Sequence, residues 1–152
     1  MEQLQQIYQH YTEELDKVQT AASPIAGIFG TGGSPKDHPC HTQFFESVGR
    51  WVENFLSSEP NETDMEEATR YLLLVGTTHR NRPTYWFCFA AQTHAKALIP
   101  LLSQSHCEAL RQDYEQAYSD ADHMPLYWQI CNLLRTHAGV APKKRRFGFR
   151  HN

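Results

Sequence analysis

Leu4, Ile7, Tyr8, Tyr11, Leu15 and Val18 recur at intervals of three and four, and the same interval returns in five later segments of the chain. That spacing places apolar side chains on one stripe of a 3.6-residue helix and polar ones opposite, so each segment can leave water only by packing its stripe against another helix. The predicted fold class is therefore all-α: about six amphipathic helices in a compact bundle or in stacked helical hairpins. A hydrophobic fraction of 40% in 152 residues is enough to fill a core, which excludes a wholly disordered chain. The expected division is one helical domain over 1–140 and a basic tail over 141–152.

The boundaries follow from local chemistry. The first helix should fade near Ala22, because Ser23-Pro24 disfavours helical backbone before the proline. Phe44, Phe45, Val48, Trp51, Val52, Phe55 and Leu56 make a second stripe, with Glu46, Arg50, Glu53 and Asn54 facing out. Pro39 suits its first turn and Asp37 or His38 its N-cap. Thr63 with Glu66 reads as a capping box, starting a third helix near Asp64 that carries Ala68, Tyr71, Leu72 and Val75 towards Gly76.

A fourth helix is expected from Tyr85 to Lys96, with Trp86, Phe89, Ala90, Thr93 and Ala97 inward; a buried strand at Tyr85–Phe89 competes with it. Pro100 interrupts, and Ser105 with Glu108 offers a capping box for a fifth helix bearing Leu110, Tyr114, Ala117 and Tyr118. A sixth follows Asp122 with Leu126, Ile130, Leu133, Leu134 and His137, and Gly139 is its left-handed terminator. The aromatic groups Tyr85-Trp86-Phe87 and Tyr127-Trp128 fit a ligand groove or, more simply, the core.

Chemistry concentrates in one stretch, Gly27 to His41, GIFGTGGSPKDHPCH. It is not a phosphate loop, since the Gly-Lys-Ser/Thr ending and the preceding strand are both missing, and it does not fit the dinucleotide fingerprint. Gly30, Gly32 and Gly33 permit turns whose N–H groups face an anion near a helix N-terminus, with Asp37 beside them, which makes these four candidate ligand-binding residues. A plain helix–helix connection explains the same glycines. His38, Cys40 and His41 are candidate ligands for a divalent transition metal such as zinc, with His79 and His94 as distant donors. Neighbours on one helix point about 100° apart, so the set needs help from elsewhere. Cys40, with His38 or His41 as base, is also a candidate catalytic nucleophile, because the helix macrodipole should lower a thiol pKa in the first turn. The competing expectation is a partly buried, inert thiol.

The four cysteines, Cys40, Cys88, Cys107 and Cys131, are widely spaced, which favours reduced thiols over a disulfide or zinc-knuckle framework. The formal charge of −3 hides a partition, since residues 143–152 hold five of the 14 Lys+Arg and none of the 17 Asp+Glu, leaving −8 on the rest. Lys143, Lys144, Arg145 and Arg146, near Phe147 and Phe149, are candidate contacts to nucleic acid. As a solvated tail they should add little to folding stability. The start has neither a signal peptide nor a membrane span, which points to a cytoplasmic protein that engages no membrane. The function expected is that of a binding module with a protein partner, through the Gly27–His41 loop or the tail. The alternatives are a metal- or cysteine-dependent enzyme at that loop and a nucleic-acid accessory protein.

Overall fold

The computed structural model describes residues 1–21, 39–75, 84–118 and 126–144, with the side chains of 18–21 and 84–87 set aside. Six α-helices and one 3-10 turn occupy these residues: α1 Glu2–Ala21, α2 Pro39–Ser57, α3 Glu62–Leu74, α4 Thr84–Ala95, the 3-10 turn Ile99–Leu101, α5 Gln104–Ala117 and α6 Tyr127–Ala138. No strand occurs among the described residues, and Tyr85–Phe89 lies in helix. The all-α expectation therefore holds. The chain divides into two compact units, Met1–Glu59 and Pro60–Asn152.

In the N-terminal unit α1 packs on α2. Tyr11 stacks on Phe44 with ring centroids 4.1 Å apart. Gln3, upstream of Tyr11, and Asn54, downstream of Phe44, wall the same groove, which requires the two helices to run antiparallel. Leu4, Tyr11 and Leu15 from α1 are buried, as are Phe44, Val48, Trp51 and Val52 from α2. Ile7 and Phe55 are only half-buried. Two residues past the end of α2, Glu59 takes a left-handed φ of 52° without being glycine, directly before Pro60.

In the C-terminal unit α5 and α6 form the main pair, α3 packs on α4 and α5, and the 3-10 turn packs on α6. Leu98, Ile99, Leu110, Ile130 and Leu134 are fully enclosed, each worth about 1.5–3 kcal/mol of transfer free energy. Pro100 sits inside the 3-10 turn, where its fixed φ fits and its missing N–H is not needed.

The caps differ from the predicted boxes. Helix α3 is capped by Asn61, not Thr63: Asn61 Oδ1 accepts the Asp64 N–H at 2.7 Å, so the helix starts earlier. Helix α5 is capped by Ser103, whose hydroxyl accepts the His106 N–H, while Glu108, expected to close a box with Ser105, pairs with Arg111 instead. Ser105 turns its hydroxyl to Ser103, 3.2 Å away.

Helix α4 presents a face that only partly matches the one expected. Ala90 is buried as expected, but Phe89 and Thr93 are half-buried, Ala97 is exposed, and Cys88, Ala91, Gln92 and Ala95 are buried instead. The segment is apolar on nearly every side, so its periodicity carries little orientation, and a hydrogen bond decides it: Gln92 Oε1 accepts from the buried Tyr114 hydroxyl at 2.8 Å. The expected burial of Ala117 and Leu133 is likewise not met, the first being exposed and the second half-buried. Gly139 does close α6 in the left-handed region, φ 75°, with its N–H bonded back to the last turn.

Candidate functional site

The start of α2 is where the described part of the chemically rich stretch meets α1. Pro39 opens the helix on the exposed side, which turns Cys40 inward and leaves His41 half-buried at the edge. The Tyr11 hydroxyl hydrogen-bonds His41 Nδ1 at 2.9 Å, and the two rings meet edge-on, 5.8 Å between centroids. Burial and the nearby Cys40 raise the Tyr11 phenol above its ordinary value, so it stays protonated and is fit to donate to the imidazole.

Cys40 follows the opposite course from the activated thiol. Burial pushes its pKa up, the Glu14 carboxylate pushes it further, and the backbone N–H groups of Cys40 and His41 pull it down without prevailing. The helix-terminus effect expected from the sequence is thus present but outweighed by desolvation, because the side chain is only 3% exposed. The resting form is a thiol, poor as a nucleophile.

Between α1 and α2 runs an open groove of about 620 Å³, wholly within the N-terminal unit. Tyr11, Phe44 and Trp51 make its floor together with Cys40, and Ile7 lies among them half-buried. Its rims are polar and exposed: Gln3, Gln6 and His10 on α1, Gln43, Glu46, Arg50 and Asn54 on α2. Glu14 closes the end nearest Cys40.

Of the sequence-predicted site residues, the structure brings Cys40 and His41 to this end of the groove, with Cys40 in its lining and His41 on Tyr11. Gly30, Gly32, Gly33, Asp37, His38 and His79 lie outside the described residues. His94 belongs to α4 of the other unit. Among the described residues no group of three or more His, Cys, Asp or Glu is placed to hold a metal ion. All four cysteines are unbridged and buried.

The groove-lining amides and charges were not singled out by sequence, since they fall on faces assigned to solvent. A signal was there. Gln3, Gln6 and His10 form one helical line beside the apolar stripe of α1, as do Gln43, Ser47, Arg50 and Asn54 on α2.

A second polar cluster, in the C-terminal unit, is satisfied from within. Gln92 and Tyr114 share a bond, Tyr118 Oη lies 3.8 Å from Cys88 Sγ, and Arg135 clasps Glu115 through two nitrogens at 2.8 Å each. Lys143 joins it: its Nζ bonds Tyr127 Oη at 2.7 Å, lies over the Tyr127 and Trp128 rings, and comes within 3.7 Å of Glu115. Burial alone would lower the Lys143 ammonium, but the Tyr127 hydroxyl and the Glu115 carboxylate raise it. The first residue of the predicted basic run is therefore a packed cation, while Lys144 is exposed and Arg145 and Arg146 lie outside the described residues.

No family model, no curated protein and no solved structure matches the chain. No helix among the described residues is long and apolar enough to cross a membrane.

Proposed function

We propose that this chain is a binding module and that the α1–α2 groove receives a segment of a partner protein. The observation that carries it is the groove itself, whose volume falls within the range of about 300–1,000 Å³ typical of binding clefts and whose exposed polar rims flank aromatic rings. Such a lining suits recognition better than bond-making: buried rings form a firm floor and exposed polar groups on the rims fix orientation. Cys40 and His41, the described end of the Gly27–His41 stretch, lie at one end of this groove.

An enzyme built on Cys40 is the weaker reading, because burial and Glu14 hold its thiol protonated. A metal shared by His38, Cys40 and His41 would have to take His41 through Nε2, Nδ1 being engaged by Tyr11. A nucleic-acid role for the tail rests on Lys144, Arg145 and Arg146, with Lys143 bound internally.

A photo-crosslinking residue placed at Ser47, in the groove lining, should capture a partner protein that the same residue at exposed Glu53, outside it, does not. The purified partner should then bind the full chain and lose affinity by tenfold or more, an estimate of order one interfacial anchor, when Ser47→Trp fills the groove. Equal capture from both positions would remove the groove from consideration.

A further inference from the structure

Resting on that reading of the groove, we infer that its occupant is an extended peptide segment bearing a basic residue, held through its backbone by the side-chain amides of Gln3, Gln6, Gln43 and Asn54. The floor argues first. Tyr11 and Phe44 are 4% exposed and Trp51 8%, so an amphipathic helix laid across them would find little apolar surface still in water to bury.

What the groove does offer is amides, two on each wall and all exposed. Each carries an N–H donor and a carbonyl acceptor, the same pair that every residue of an extended chain presents. A helix spends those groups on itself in all but its end turns, so paired amide walls are chemically matched to an extended strand and mismatched to a helix. None of the four side chains is engaged by another described residue in the bonds that hold the unit together. Along α1 the lining runs from Gln3 to Glu14. At 1.5 Å per residue that is about 16 Å, room for roughly five extended residues.

Charge selects the sequence class. The groove carries Glu14 and Glu46 against Arg50, and residues 1–59 hold eight acidic against three basic residues, a net of −5. A lysine or arginine in the segment is drawn to that field, and a nucleic acid is repelled by it.

The test is to pan a library of random linear peptides against the immobilised full-length chain, synthesise the enriched sequences, and measure their binding by fluorescence anisotropy. Enriched peptides should contain Lys or Arg without a helical period and should lose binding when a central backbone nitrogen is methylated. Gln6→Ala with Gln43→Ala should weaken them about tenfold, two hydrogen bonds' worth, with the melting temperature unchanged because both residues are exposed. Glu46→Gln should weaken them and flatten their salt dependence. Peptides with helical spacing that gain helicity on binding and ignore the amide substitutions, yet are blocked by Ser47→Trp, would overturn the extended mode while leaving the groove as the site. Peptides indifferent to Ser47→Trp, or no enrichment at all, would overturn both.

Discussion

Two residues in left-handed backbone test how single positions set stability here. Gly139 takes φ of 75° at the end of α6, and a Cβ there would sit 2.8 Å from Gln104 Nε2, the group that caps the Ala138 carbonyl at 3.0 Å. Gly139→Ala should therefore cost about 1–2 kcal/mol, the left-handed penalty plus some displacement of that amide, read as a lowered urea midpoint at unchanged slope. Glu59 is the mirror case, a side-chain-bearing residue at φ 52°. Glu59→Gly should stabilise by about 0.5–1 kcal/mol, because relief of the backbone outweighs the extra freedom of the unfolded chain. Gly139 was legible from sequence as a glycine just past a periodic stripe. Glu59 was not, since nothing marks a glutamate as left-handed until the helix ahead of it is seen to end.

At the scale of elements, the join between α5 and α6 depends on ionised groups that no periodicity announces. Glu115 on α5 accepts two nitrogens of Arg135 on α6, and that bonding, with Lys143 and Arg111 nearby, holds its carboxyl below the ordinary value of 4.5 against the opposing effect of burial. A depressed folded pKa stabilises the fold above the unfolded value, and that contribution is lost as pH falls through the folded one. Glu115→Gln should accordingly cost about 2 kcal/mol at pH 7, and the gap to the parent chain should close as the pH drops below about 4, in denaturant titrations at each pH. A gap constant over that range would show that the carboxylate charge is not what joins the helices. The helices themselves were readable because a stripe must face something. Their orientation was readable only where the polar side contrasted with it, as in α1 and α2. In α4 that contrast fails, and the bond between Gln92 and Tyr114, distant in sequence, turns the face. Capping went the same way, for Asn61 and Ser103 reach the free N–H groups ahead of the boxes at Thr63 and Ser105.

For the whole molecule, stripes tell which face of each helix is buried but not which helices share a core, so the division into Met1–Glu59 and Pro60–Asn152 is not legible in them. The candidate site was legible only in part for a related reason. Cys40 and His41 stood out as reactive types, whereas the groove they border is made of glutamines and charges on faces that periodicity assigns to solvent. Charge partition misled at Lys143 as well. A cluster of cations without helical spacing reads as solvated, yet the Lys143 backbone N–H bonds Asn132 Oδ1 at 2.8 Å, its Nζ meets Tyr127 and Glu115, and Arg135 bonds the Ala141 carbonyl. Removing residues 143–152 should then lower the melting temperature by a few degrees, where a solvated tail would leave it unchanged. Lys143→Ala alone should reproduce most of that loss, about 1 kcal/mol for a hydroxyl bond and a cation over two rings, while Lys144→Ala, exposed and one position on, should shift melting by less than about a degree. Equal, negligible shifts for both lysines would return the entire segment to solvent and leave Tyr127 and Glu115 to be satisfied by water.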